Sequence, residues 1–518
     1  MTADDQVLAP ASADDTTPPA PMPGSDDEWI TTPSLTGGEV RRRATRGAIL
    51  LGGRAVLVRG VGFFANIALA RLLAPEDFGA LAFGLTLVGV AGFLADAGTG
   101  AALIRGHSEI RRRDLQAVLA FQLVVCALAG TVVVAGALAV GRHGFLTAVM
   151  ALSLPAVAFR APGAILSERE LSYRPLAVVE IVESLAYYAW AIIAVTLGAG
   201  AWGVATAVLV RSLVGTATML ALVPKSRMAP RFEWRRVRRF IGFGLSFQAV
   251  GLVAVLRDLA LNAGTASLKG LADLGIWSLA LSLLQAPFML FDVLWRVSYP
   301  AVARMISAGE SPGPGLRRAL GMVAVISGLF IAGLVGPAPA MVPAVFGAKW
   351  QPAVAVLPWA GLGLMIAGPI SVASAGYLYA EGLAAEVLRA CVATATAWVA
   401  LALALLPSIG VQAIGIGWLS GACIEAVMLT SAMRRHARLK LSTAVAPAVA
   451  AAVVSSSAAW ALTTALGPTL ASTIVGGITV AVLYLAAEWV FDRERVAQVW
   501  RTLVGLARDR RSGQPATA

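Results

Sequence analysis

Charge is what this chain has least of: only 14% of its 518 residues are Asp, Glu, Lys or Arg, whereas 58% are hydrophobic. Soluble domains carry about 25% charged residues, so a large water-exposed globule is excluded. Cysteine and histidine are scarce, three of each. Cys126, Cys391 and Cys423 all fall in apolar runs. That excludes a disulfide framework or a CxxC metal motif and makes them small core residues. His107, His143 and His436 read as loop residues between those runs. No HExxH, P-loop or GxSxG pattern occurs. Connections such as 141–144, 198–201 and 466–469 hold too little chain to assemble catalytic groups on a loop. Neither an enzyme nor a bound cofactor or metal is expected. The N-terminus lacks the basic-then-apolar pattern of a cleavable signal. Residues 1–40 hold eight acidic residues and no Lys or Arg, and read as a disordered acidic tail.

What the chain has in abundance is long apolar runs. About 20 apolar residues in a helix cross roughly 30 Å of hydrocarbon. Fourteen such spans are expected, at 48–70, 78–104, 115–140, 145–166, 176–198, 201–223, 239–264, 272–299, 316–337, 352–379, 385–407, 411–433, 443–466 and 470–491. The fold class is therefore an all-α polytopic membrane protein. The net charge of +12 sits in the short connections, where the positive-inside rule explains it better than a nucleic-acid partner. With the N-terminus in the cytoplasm, the cytoplasmic segments hold 31 Lys and Arg and the opposite side four, six more lying inside spans. Both termini are expected to be cytoplasmic, in the plasma membrane.

The heaviest basic connection is 225–239, between spans 6 and 7. An offset of 196 residues aligns Asn66 with Asn262, Asp77 with Asp273, Gly79 with Gly275 and Asp96 with Asp292, within nine identities over 31 positions. Gly198 and Gly203 also echo Gly410 and Gly415 at an offset of 212. Six spans per half is an even number, so the duplication is parallel, its axis along the membrane normal. The expected organisation is a tail (1–40), a six-helix lobe (41–224), a basic linker (225–239), a second lobe (240–440), two added helices (441–492) and an amphipathic tail (493–518).

Ionisable groups at membrane depth cost about 2.5–3.5 kcal/mol each on insertion scales, so each requires a reason. Arg54, Arg59, Asn66, Arg211, Arg257 and Asn262 are candidates for a cavity that binds an anionic group, since guanidinium matches phosphate in a bidentate way. Asp96, Glu180, Glu183, Asp258, Asp292, Arg296 and Glu425 are candidates for ion coupling or for structural pairing. Asp292 and Arg296, four apart, can satisfy each other on one helix.

The segment Ala70-Arg71-Leu72-Leu73-Ala74-Pro75-Glu76-Asp77-Phe78-Gly79 resembles the signature of the polysaccharide transporter family, the oligosaccharide-lipid flippases of the multidrug/oligosaccharidyl-lipid/polysaccharide exporter superfamily. Asp96-Ala97-Gly98-Thr99-Gly100-Ala101-Ala102-Leu103-Ile104 and Phe346-Gly347-Ala348-Lys349-Trp350-Gln351-Pro352-Ala353 are similar to that family's later segments. The first segment has its own physical reading: Pro75 ends span 1, Glu76 and Asp77 suit the positive end of the next helix, and Gly79 permits close packing. The resemblance implies two six-helix lobes around a central cavity, working by alternating access. It implies a polyprenyl-pyrophosphate-linked oligosaccharide moved to the outer leaflet, with membrane lipids and associated polymerase and glycosyltransferases as partners. No site residue is carried over from it. The alternatives are a multidrug or cation antiporter of the same superfamily and a non-transporting scaffold for envelope synthesis.

Overall fold

The apolar runs become fourteen helical spans long and apolar enough to cross a membrane in the computed structural model, which describes residues 29–30, 37–105, 110–140, 142–307, 313–436 and 442–491. Spans 1 to 7 are Gly52–Leu72, Pro75–Ile104, Arg112–Gly136, Gly144–Arg169, Tyr173–Ala199, Ala201–Leu222 and Ala249–Lys269. Spans 8 to 14 are Leu271–Phe288, Gly315–Val335, Leu357–Ala380, Ala384–Ile409, Gln412–His436, Ala444–Leu466 and Leu470–Phe491. The helix of span 1 begins earlier, at Gly37, and that of span 8 continues to Ser307. The protein is a multi-pass membrane protein. The face at which the chain enters span 1 is called here the entry face, the other the exit face.

The structure departs from the sequence expectations at five places. Trp29–Ile30 pairs antiparallel with Ile110–Arg111, so the acidic segment is not wholly unstructured; two bulky β-favouring residues find a partner just before span 3. Pro75 opens span 2 instead of ending span 1, which finishes at Leu72. The ring's fixed φ and missing N–H suit a first helical turn, and Glu76 and Asp77 follow in that turn as expected. Span 2 is broken at Ala97 and Gly98, both at positive φ. Span 7 is preceded by a separate amphipathic helix, Trp234–Phe247, whose apolar Phe240–Phe247 end merges with span 7 in a hydropathy reading. His143 and His436 lie on helices. His107 and the tail 493–518 fall outside the described residues.

Spans 1, 3, 4, 5 and 6 pack chiefly among themselves, and so do spans 7, 8, 10, 11 and 12. Spans 13 and 14 pair with each other and lean on span 9. Span 2 crosses between these sets, lying along spans 7 and 8. At its exit-face end Gly79 meets the backbone of Leu271 while Gly275 meets the backbone of Pro75. No side chain fits at either position.

Two further exit-face segments interlock. The Arg71 Nε donates to the Val345 carbonyl at 2.7 Å and its Nη2 to that of Ala344 at 2.8 Å. Lys349 Nζ returns the contact, donating to the carbonyls of Arg71 at 3.0 Å and Leu73 at 2.7 Å. Arg71 thereby caps the last carbonyls of the short helix Ala338–Phe346, and Lys349, just beyond that helix, caps carbonyls at the end of span 1, a favourable dipole arrangement. Trp350, fully buried, donates to the Ala70 carbonyl at 2.8 Å and meets Phe78 edge-on at 5.0 Å.

At the entry face the break in span 2 is held by Asp96. Its carboxylate accepts from Gln248 at 2.7 Å and from Gln122 at 3.5 Å. Gln122 also donates to Thr99 at 3.2 Å. Gly98 rests directly on the backbone of Gly244 in the amphipathic helix.

Candidate functional site

Between these two closures lies a cavity of about 810 Å³, lined by spans 2, 7, 8, 10, 11 and 12. Small-molecule sites occupy about 300–1,000 Å³, so it is large enough for a substantial ligand. Thr86 comes from span 2, Arg257, Asp258 and Asn262 from span 7, and Trp277, Gln285 and Phe288 from span 8. Span 10 adds Ser371, span 11 Thr394 and Trp398, and span 12 Trp418 and Glu425.

Arg257 is the only cation among the described residues that line this cavity. Asp258 accepts on one oxygen from its Nε at 2.9 Å and its Nη2 at 2.7 Å. The guanidinium carbon lies 4.8 Å from the centroid of the Trp398 ring, a cation–π contact worth about 0.5–2 kcal/mol according to its solvation. Trp398 stacks on Trp418 at 4.7 Å, and Trp418 on Phe288 at 5.6 Å. Trp277 meets both indoles edge-on, at 6.3 and 6.1 Å. The column forms because Gly417 of span 12 sits against the Trp398 carbonyl, 2.7 Å from where a Cβ would stand. The Trp398 indole N–H is fixed by the Ile414 carbonyl at 3.1 Å. Glu425 lines the cavity with Ser371 and Arg257. Asn262 donates to Thr86 at 2.8 Å, joining span 7 to span 2.

A second polar cavity, of about 580 Å³, lies among spans 1, 4, 5 and 6. Glu183 is buried there, 4% exposed. It accepts from Arg160 and, at 3.1 Å, from Arg211, whose guanidinium lies 6.0 Å from the Tyr187 ring. Arg54 pairs with Glu180 at 2.7 Å.

The sequence candidates therefore separate into places. Arg257, Asp258, Asn262 and Glu425 share the larger cavity, while Arg54, Glu180 and Glu183 share the smaller one, with Arg211 at its edge. Asp96 lies at the entry-face break. Arg59 is exposed and Asn66 half-buried on span 1, and neither lines either cavity. Asp292 and Arg296 lie on the helix of span 8, and their side chains fall outside the described residues. Sequence reading missed Thr86, Ser371, Thr394 and the indole column. Trp398 and Trp418, 20 residues apart, give no pattern that separates a cavity wall from ordinary core. Arg160 carried a usable signal, a charge inside span 4.

The family model described as polysaccharide biosynthesis protein matches residues 68–355. The succinoglycan biosynthesis transport protein ExoT of Rhizobium meliloti (strain 1021) is 26% identical over 316 residues, 59% of this chain and 62% of that protein. The lipopolysaccharide biosynthesis protein WzxC of Escherichia coli (strain K12) is 24% identical over 325 residues, 58% of this chain and 63% of that protein. The chain thus spans less than two thirds of the length of these relatives. In fold it is similar to the lipid II flippase MurJ in an inward closed conformation, with a TM-score of 0.66 at 13% identity, covering 86% of this chain and 100% of that one. It is also similar to an inward-facing multidrug resistance MATE family transporter, with a TM-score of 0.61 at 15% identity, covering 76% of this chain and 98% of that one.

Proposed function

The chain belongs to the polysaccharide biosynthesis protein family, and from that premise we propose that it is a flippase for lipid-linked oligosaccharide. The observation that carries this reading is the cavity of about 810 Å³ between two closures built from different residues. Opening the entry-face contact of Gly98 with Gly244, then the exit-face contact of Gly79 with Gly275, exposes one cavity to each leaflet in turn. The substrate's saccharide enters the cavity, and its polyprenyl chain stays in lipid. Arg257, Asp258, Asn262 and Glu425 contact the ligand. Arg160 and Arg211 brace Glu183, and Glu180, in its more open pair with Arg54, is the carboxylate that couples to protons.

The same reading treats the chain as two parallel six-helix lobes, 41–224 and 240–440, with the linker 225–239 and two added helices in 441–492. Its support is reciprocity: Leu271 and Gly275, which meet Gly79 and Pro75, stand 196 residues beyond Pro75 and Gly79, the offset of the sequence repeat. The charge asymmetry of the connections supports cytoplasmic termini in the plasma membrane. Function without catalysis, beside polymerase and glycosyltransferases that make and use the substrate, completes the reading.

One observation favours a second reading. Among the described residues, the cavity lining carries two carboxylates and one guanidinium, a balance that suits a cationic ligand and hence a multidrug or cation antiporter. Purified protein in liposomes separates the two. Fluorescent polyprenyl-pyrophosphate oligosaccharide should change leaflet only when the protein is present, with and without an ion gradient as parallel arms. Transfer of tetraphenylphosphonium, with none of any glycan lipid, would establish the antiporter instead.

A further inference from the structure

The cavity's charges conflict with the expectation that its arginine binds the pyrophosphate. Asp258 already occupies the Nε–Nη2 edge of Arg257, and Glu425 adds a second carboxylate to the lining. A pyrophosphate would thus meet an arginine already engaged by a carboxylate, with no second cation among the described lining residues to hold it. What the lining offers instead is a set of planar polar groups and hydroxyls: one guanidinium, two carboxylates, the amides of Asn262 and Gln285, and the hydroxyls of Thr86, Ser371 and Thr394. Such groups donate and accept in pairs, as neighbouring hydroxyls on a sugar ring do. Aromatic walls complement the C–H edges of the same rings.

Directional hydrogen bonds to hydroxyls require fixed donors more than a net charge does. The column supplies the fixing. The Trp398 indole is tied to the Ile414 carbonyl at 3.1 Å, stacked on Trp418 at 4.7 Å, and carries the Arg257 guanidinium at 4.8 Å. With one face on the indole and one edge on Asp258, the guanidinium keeps a single plane. Its remaining edge is the one left to meet a ligand.

We propose that the cavity reads the saccharide rather than the pyrophosphate, and that Trp398 is a positioning residue that fixes the Arg257–Asp258 pair toward sugar hydroxyls. The inference rests on the flippase reading. It places the pyrophosphate outside the cavity, leaving selectivity among glycans to this wall.

The test uses the full chain in detergent and lipid-linked oligosaccharide extracted from cells lacking this protein, where undelivered substrate accumulates. Binding is followed by tryptophan fluorescence, with two competitors: the oligosaccharide released by mild acid, and bare polyprenyl pyrophosphate. The released oligosaccharide should compete on wild type and lose about tenfold or more in Arg257→Gln and Trp398→Leu, with Trp398→Phe, which keeps an aromatic face, in between. Bare polyprenyl pyrophosphate should bind wild type and Arg257→Gln equally. A loss of polyprenyl pyrophosphate affinity in Arg257→Gln overturns the inference while leaving the flippase reading intact. Equal affinity of the released oligosaccharide for Trp398→Leu and Trp398→Phe removes the positioning role. If the extracted lipid does not bind wild type at all, the flippase reading falls and the inference with it. Trp398→Phe and Arg257→Gln preserve most of the packing volume, and gel filtration confirms that each is folded.

Discussion

Glu183 is buried where a lone carboxylate would be costly, and two guanidiniums converge on it from spans 4 and 6. Removing one partner of a buried pair leaves uncompensated charge, at a cost of about 3–5 kcal/mol. Glu183→Gln should therefore lower the unfolding temperature in detergent well below that of Glu180→Gln, whose single partner Arg54 sits in a more open pair, with side chains 17% and 35% exposed. At the exit face, partial burial lowers the pKa of Lys349 below the ordinary 10.5, opposed by the Asp77 carboxylate. Acetylation of Lys349 should reach half its maximal rate at lower pH than for an exposed lysine, and Asp77→Asn should move that midpoint lower still. Between the folded pKa and 10.5 the unfolded chain holds the extra proton, so stability rises with pH in that window. Glu180, Glu183 and Arg211 could be read from the sequence as charges that need a reason. Their partners could not, because helical spacing tells which face a residue shares and says nothing of which helix meets it.

The spans themselves were legible because a run of some twenty apolar residues has few other fates. Their interruptions were not. The turn at Ala97 and Gly98 leaves the apolar content unchanged, and Trp234–Phe247 runs into span 7 with no polar gap. The closures were half legible: Gly79 stood out as a packing position, but its partner lies in span 8. Gly79→Ala and Gly275→Ala each place a methyl group onto a backbone carbonyl of the opposing helix. Both should hold the exit face ajar. In a background with the three native cysteines replaced, a cysteine at Thr394 should react faster with an impermeant maleimide added from that face. Gly92→Ala, on the same span with open space around it, should leave the rate unchanged.

As a whole molecule, the described chain gathers Trp277, Trp398 and Trp418 at its larger cavity and sets ion pairs such as Arg54–Glu180 and Arg211–Glu183 between helices. The sequence motifs anticipated this division only in part. The segment around Arg71 was expected to be a structural corner and the one around Lys349 was noted only for its resemblance, and their interlocking across 278 residues of chain is what no local pattern reveals. Substituting Arg71→Gln with Lys349→Met should destabilise the exit-closed state and raise the same maleimide rate, since each cation holds two carbonyls. The hydrogen-bond partners in that contact are backbone carbonyls, the Asp77 carboxylate acting on Lys349 only through space. Separating them exposes bare ammonium, guanidinium and carbonyl groups that only solvent can then satisfy. Opening this end is thus a hydration reaction, driven by water activity more than by ionic strength. A solute too large to enter the gap should favour the closed form by osmotic stress, whereas added salt should leave the balance nearly where it was.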